Sequence, residues 1–174
     1  MSEREVARNL DDIIENAEGR IIIAAFSSLI ARIQQIMDMA VKYRRKVYIT
    51  GRSMMETLEV AKLLGYLKYP KDLVHDAARM GKTHDKETII LTTGSQGEDA
   101  SALARIGNGT HQMVRIKKND TVVLSSTPIP GNERAVTSVI NNLCRLGAKV
   151  INSKMMYVHT SGHGAQQDLK LMIT

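Results

Sequence analysis

Two hydrophobic rhythms alternate along the chain. In the opening stretch "EREVARNLDDIIENAEG", Val6, Leu10, Ile13, Ile14 and Ala17 recur at helical spacing and Gly19 offers a C-terminal stop, so the chain is predicted to begin with a helix. "GRIIIAAF" then runs apolar without alternation, the pattern of a strand buried on both faces. "SSLIARIQQIMDMAVKY" follows, with Ile30, Ile33, Met37 and Val41 on one helical stripe. The same strand-then-helix grammar returns in "KVYITG" and "SMMETLEVAKLLG", where Ser53 and Glu56 have the spacing of a capping box and Gly65 ends the helix. It returns again in "ETIILTTG" with "SALARIG", in "TVVLSS" with "NERAVTSVINNLCRLG", and in "AKVINS" and "MMYVHT" leading into "QQDLKLMI". The least regular part, "YPKDLVHDAARMGKTHDKE", holds one short strand, "LVHDA", and a charged loop.

Buried strands alternating with amphipathic helices predict an α/β fold, a mostly parallel sheet with helices on both faces. The 174 residues form a single domain, 1–174, with no linker, low-complexity stretch or repeat. In open parallel sheets ligands bind beyond the carboxyl ends of the strands. The residues there are Phe26-Ser27-Ser28, Thr50-Gly51-Arg52-Ser53, Thr92 through Glu98, Ser125 through Pro128, and His159-Thr160-Ser161-Gly162-His163. Small hydroxyl residues with glycine ahead of a helix have the chemistry of an anion cradle, and also that of ordinary helix caps.

Charge favours an anionic partner. Lysine and arginine number 24 against 18 aspartates and glutamates, and the sequence pI is near 9.5. One phenylalanine, five tyrosines and no tryptophan leave little for a base-stacking platform, so contact with nucleic acid would run mainly through phosphates. The lone Cys144 excludes a disulfide scaffold, implies a reducing, cytoplasmic setting, and falls within a helical pattern as a core residue. The polar N-terminus and the lack of a long apolar run predict a soluble protein with no membrane partner.

Among the candidate sites, His159 and His163 stand four residues apart. On a helix they would share a face and suit zinc, but Gly162 and Gly164 disfavour a helix there, and His75, His84 and His111 lack matching spacing for a complete metal site. Acid–base work near neutral pH and phosphate binding stay open: Ser161 and His163 can donate hydrogen bonds, Gly162 lets backbone approach, and a bound phosphate would raise a histidine's pKa. Glu98 and Asp99 could act as a base or outer metal shell, or be a solvated turn. "KYRRK" at 42–46 and "RIKK" at 115–118 could track a nucleic-acid backbone or be plain surface. There is no G-x-G-x-x-G after the first strand and no Walker-type loop.

Three stretches together, "TTGSQGE", "SSTPIPGNERAV" and "HTSGHGAQQDLKLM", resemble the β-CASP domain of the ribonuclease J family, within the metallo-β-lactamase superfamily of nucleases. The resemblance runs from about "EGRIIIAAF" to the last residue. It implies a Rossmann-like domain that caps a metallo-β-lactamase domain, with RNA threading between the two in RNA processing and mRNA decay. "HTSGH" is similar to the family's phosphate-gripping motif, which implies that His159, Ser161, Gly162 and His163 contact the phosphate near the cut, and that His163 is the catalytic contributor. "FSS" is similar to the family's Phe-Ala-Ser loop and implies that Phe26, Ser27 and Ser28 help to hold a 5′-monophosphate; Arg52 and Ser53 join them as phosphate contacts from the next strand end. The family's metal motif H-x-H-x-D-H is absent from the sequence. The expectation is thus no cofactor in this chain, zinc in the complete enzyme, RNA binding without cleavage by the chain alone, and self-association through an apolar patch as a further possibility. Two other readings share the fold: a mononucleotide or small-anion module, and a non-catalytic dimerising or partner-holding domain.

Overall fold

In the computed structural model, which describes residues 3–81, 83–160, 170 and 172, six strands form one sheet in the order β3-β2-β4-β1-β5-β6. In chain order the elements are α1 (Glu3–Asn16), β1 (Ile21–Ala24), α2 (Ile30–Lys42), β2 (Lys46–Thr50), α3 (Arg52–Leu63), β3 (Val74–Asp76), β4 (Thr88–Thr92), α4 (Ala102–Gly107), β5 (Thr121–Leu124), α5 (Glu133–Arg145) and β6 (Lys149–Ile151). Every strand pair is parallel. The expected α/β fold with helices on both faces is what forms.

The strands read as unbroken apolar runs because both faces are covered, yet period-two geometry still sorts them. Ile21, Ile23, Val47, Ile49, Ile89 and Leu91 pack with α1, α2 and α3. Ile22, Tyr48, Ile90, Val122 and Val150 point the other way, against α4 and α5. The register lines Tyr48, Ile90, Ile22, Val122 and Val150 into one row across the sheet. A one-residue slip of any central strand would exchange the two cores.

β1 and β4 are neighbours whose chains leave in opposite directions. β1 passes through α2, on one face, toward β2; β4 passes through α4, on the other face, toward β5. This is a topological switch point, and open parallel sheets bind ligands beside such a point, at the carboxyl edge.

Local expectations differ from the structure at five places. Val41 is 48% exposed, because the buried stripe of α2 turns through Ile33, Ile36, Met37 and Ala40 instead. Ser53 and Glu56 form no capping box: Gly51, at φ 103°, takes the cap position, and Ser53 lies exposed in the first turn of α3. "MMYVHT" is not a strand; the Asn152 side chain accepts from the Lys154 amide and its carbonyl from those of Met155 and Met156, which turns the chain just after β6. Cys144 is exposed, one position past the buried Leu143 of α5. Gly19 is not the helix stop: α1 ends at Asn16, and a Cβ at Gly19 would collide with the Asn119 carbonyl, so close approach requires the glycine. The "QQDLKLMI" helix lies outside the described residues except for Lys170 and Met172, both helical. Among the described residues no helix is long and apolar enough to cross a membrane.

Buried arginines join the segments that lead into the strands. Arg20, just before β1, forms a two-pronged ion pair with Asp120, just before β5, at 3.0 and 2.6 Å, and both side chains are at most 3% exposed. Asp120 also accepts from the Lys117 amide at 2.8 Å. Arg45, before β2, donates to the carbonyls of Ile14, Ala17 and Gly19 and so caps the C-terminal end of α1. Replacing Asp120 by alanine leaves the Arg20 charge buried and unpaired, and is expected to cost about 3–5 kcal/mol in urea unfolding. Lys117→Ala removes only the exposed pair with Asp85 and is expected to change stability by less than about 1 kcal/mol.

Candidate functional site

The carboxyl edge gathers the loops that the sequence singled out, but it uses them in two ways. The loops after β4 and β5 are tied to each other. Gln96, 3% exposed, donates to Ser126 Oγ at 3.3 Å and to the Thr127 carbonyl at 3.0 Å, and its Oε1 accepts from the Ile129 amide at 2.8 Å. Ser126 Oγ donates to the Ser95 carbonyl at 3.2 Å. Gly97 lies so close to the backbone of Ala135 and Val136 that a Cβ would be 2.6 Å from it, which docks the β4 loop on the start of α5. Ser95, Gln96, Ser125 and Ser126 are buried structural groups rather than an open anion cradle.

The loops after β1 and β2 face outward. Phe26 and Ser27 are half-buried and Ser28 is exposed, in a turn closed by the Leu29 amide donating to the Phe26 carbonyl at 3.1 Å. Arg52 and Ser53 are exposed in the first turn of α3, where the unpaired amides of a helix start also point. Under this edge, His111 Nδ1 accepts from the amides of Met113 and Val114 at 3.2 and 3.1 Å, so Nε2 carries the proton and donates to Thr50 Oγ1 at 2.8 Å. Burial, with Arg105 and Arg115 nearby, pushes the His111 pKa down and keeps the ring neutral.

The third part of the edge is the segment that brings in His159, and its anchor is Arg32. This residue sits on α2 with its side chain 1% exposed. Its Nη1 donates to Ser125 Oγ at 2.6 Å and to the Val158 carbonyl at 2.7 Å, while Nη2 donates to both carboxylate oxygens of Glu3 at 3.0 and 2.8 Å. Ser125 Oγ also donates to the Val158 carbonyl at 2.6 Å, and Asn9 donates to the Tyr157 carbonyl at 3.0 Å. One buried guanidinium thus joins α1, α2, the end of β5 and the residue just before His159.

His159 is half-buried, and its Nδ1 has no hydrogen-bond partner among the described residues. Burial is the largest influence on its pKa and lowers it; the Arg32 charge adds to this, while Glu3 and the Ser125 carbonyl oppose it. In the ligand-free chain the ring is therefore neutral near pH 7. Ser161, Gly162 and His163 lie outside the described residues.

Of the residues expected at the site, Phe26, Ser27, Ser28, Arg52, Ser53 and His159 thus share the carboxyl edge, with different exposures. Sequence reading missed Arg32; it included Gln96 only as part of a strand-end loop and His111 only as a metal ligand without matching spacing, so the bonds these two make went unforeseen. Arg32 left a signal: a charged residue four positions before Ile36 falls on the buried stripe of α2. The basic clusters lie elsewhere, since 42–46 and 115–118 precede β2 and β5 and so occupy the amino edge. Among the described residues no group of three or more His, Cys, Asp and Glu side chains could hold a metal ion, and no chemical step through a metal follows from them.

The geometry agrees with what the sequence matches. The model of the family described as "Ribonuclease J, beta-CASP domain" matches residues 18–143. The chain is 46% identical to Ribonuclease J 1 of Streptococcus pyogenes over 173 residues, which is 99% of this chain and 31% of that protein. It is 46% identical to Ribonuclease J of Thermus thermophilus over 172 residues, 99% of this chain and 30% of the relative. With Ribonuclease J2 of Bacillus subtilis the identity is 41% over 172 residues, 99% of this chain and 31% of the relative. The chain thus spans less than a third of the length of these curated relatives.

Two outcomes follow from the Arg32 anchor and the neutral rings. Arg32→Met should leave the sheet intact but remove one of the two donors to the Val158 carbonyl, leaving only Ser125 Oγ, so amide exchange at 157–160 accelerates while global stability falls by about 1–3 kcal/mol. Because both histidine pKa values are lowered on folding, the unfolded chain takes up these protons first as pH falls. Their contribution to stability is complete above about pH 6.5 and declines below it, through the lowered pKa values. Urea titrations between about pH 7.5 and about pH 5 should show this acid loss, and His159→Gln should flatten part of it.

Proposed function

This chain belongs to the β-CASP domain family of ribonuclease J, and we propose that it serves as the RNA-gripping part of a zinc-dependent ribonuclease of that type. The observation that carries the reading is the position of the His159 segment. Arg32 and Ser125 fix the backbone at Val158, at the carboxyl edge of a sheet whose switch point lies between β1 and β4, which is where such sheets bind ligands.

In this proposal Phe26, Ser27 and Ser28 border one side of the groove and hold the 5′-monophosphate, with Arg52 and Ser53 supplying charge and hydrogen-bond donors from α3. His159, Ser161, Gly162 and His163 contact the phosphate near the cut. A phosphate arriving beside His159 opposes the effects of burial and Arg32, so binding and proton uptake are coupled there. His163 stabilises the developing charge or delivers a proton to the leaving oxygen. Zinc, when bound, supplies the activated water; its ligands belong to a metallo-β-lactamase domain in the longer protein that the relatives' lengths suggest. The setting proposed is the cytoplasm, in RNA processing and decay.

The test is titration of a 5′-monophosphorylated RNA against the chain and a Ser161→Ala, His163→Ala variant at two salt concentrations. The proposal expects a steep salt dependence for the wild type and an affinity at least about tenfold lower for the variant, with unchanged circular dichroism, since losing phosphate hydrogen bonds of about 1.5–3 kcal/mol each is felt in binding. Saturable mononucleotide binding with no dependence on RNA length would favour a small-anion module. Tight self-association indifferent to these residues would favour a partner-holding domain.

A further inference from the structure

The charge excess of the chain does not lie at the carboxyl edge. Exposed charges among the described residues there are nearly balanced, with Arg52, Arg79, Arg134 and Lys154 against Glu98, Asp99 and Glu133. The amino edge, where all six strands begin, is the basic one. Arg44 and Lys46 lead into β2, Lys86 into β4, Arg115 and Lys118 into β5, and Lys149 opens β6; all six are exposed. Lys117 stands among them, paired with Asp85 at 2.6 Å. Ahead of β3 stand exposed Lys71 and Asp72, and the other acids near this edge are Asp12, Glu18 and Glu87, so cations still exceed carboxylates. From β2 to β6 the sheet order passes through β4, β1 and β5, which places Lys46 and Lys149 on the order of 19 Å apart at the usual strand spacing.

Two features show that this rim is more than scattered surface charge. Beside it opens a cavity of about 350 Å³ whose lining includes Arg20, Thr83, Thr88, Arg115 and Lys117, with Asp85 as its acid. Its Arg20 is the buried partner of Asp120, so the wall behind the rim is held rigid by the ion pair that joins β1 to β5. Arg44 adds a second sign. Its φ is 53°, a left-handed conformation that glycine adopts freely and a side chain disfavours. The turn alone gives no reason for an arginine, and among the described residues Arg44 forms no ion pair.

We infer that the amino edge is a second RNA-binding surface, which contacts the phosphate backbone of a long strand away from the carboxyl-edge groove. The inference rests on the reading of the chain as an RNA-gripping domain. Four of the six exposed cations are lysines, which are scarce in protein–protein interfaces and common in contacts to phosphate. Such contacts are independent of sequence and strengthen with strand length and low salt. The groove fixes one end of the strand and the rim holds its continuation.

The experiment compares a short 5′-monophosphorylated RNA of about 6 nucleotides, within one groove, with one of about 30 nucleotides. The rim variant is Arg115→Glu, Lys118→Glu, Lys149→Glu. A control with the same change in net charge on other faces is Arg8→Glu, Lys62→Glu, Lys68→Glu, and circular dichroism and urea midpoints establish that each folds. The rim variant should bind the short RNA within about twofold of the wild type, apart from a general charge effect that the control shares. Its binding of the long RNA should weaken well beyond the control, with the slope of log K against log salt reduced by about 2, the loss of three single-strand phosphate contacts.

Equal loss in the rim and control variants overturns the inference and leaves the groove reading standing, as does undiminished long-RNA binding. Rim-dependent binding of polyglutamate without rim-dependent binding of long RNA assigns the surface to an acidic protein segment and also overturns it. If the wild type binds neither RNA, both readings fall together.

Discussion

Every strand of this sheet runs in the same direction, and the division of the molecule follows from that constraint. Parallel pairing sends all carboxyl ends to one edge and all amino ends to the other. Each strand must then be recrossed by a connection over a face, which covers both faces and makes the strands apolar throughout. Because β1 leaves over one face and β4 over the other, the chains diverge beyond the carboxyl edge, although the strands stay paired to their ends, where the Ala25 amide donates to the Thr92 carbonyl. The hydroxyl-rich loops and His159 gather on that edge, and exposed Lys46, Lys86, Lys118 and Lys149 lie on the opposite one. A change that reversed one strand would mix the two surfaces.

Three arginines show how the interior supports this plan. Arg20, Arg32 and Arg45 are each at most 3% exposed, and each joins segments far apart in sequence. A buried guanidinium is costly unless its donors are met. Arg20 meets a carboxylate; Arg45 meets three carbonyls at the end of α1; Arg32 meets Glu3, Ser125 and Val158 through its two Nη atoms, while its Nε has no hydrogen-bond partner among the described residues. The planar fork of donors suits such junctions in a way that a lysine ammonium would not. Arg32 matters most for the proposed function, since its partner Val158 immediately precedes His159 and its charge helps to keep that ring neutral. The same groups that set the backbone therefore also set the proton state of a residue assigned to phosphate.

The strands and most helices were legible in the sequence because burial on two faces writes itself as long apolar runs, and amphipathic helices write themselves as stripes. "GRIIIAAF" and "TVVLSS" are clear for that reason. Short-range turn chemistry was less legible. Asn152 turns the chain where "MMYVHT" has the composition of a strand, and Gly51 replaces Ser53 as the helix cap because its φ of 103° suits the corner. The loops after β4 and β5 looked like open cradles, since a serine before a helix has the same letter whether its hydroxyl faces a ligand or a neighbouring loop. Only the fold reveals that Gln96 engages Ser126, Thr127 and Ile129. The basic clusters were visible too, but their placement on the far edge depends on strand order, which no local pattern encodes.

The central claim is that RNA lies against the carboxyl edge beside the anchored His159 segment. Hydrogen exchange measured with and without a short 5′-monophosphorylated RNA tests it most directly, because the readout is a location. The account predicts slowed exchange at 26–29, 51–55 and 157–160, with the central strands unchanged. Protection confined to other surfaces, with those three segments unaffected at saturating RNA, would contradict it.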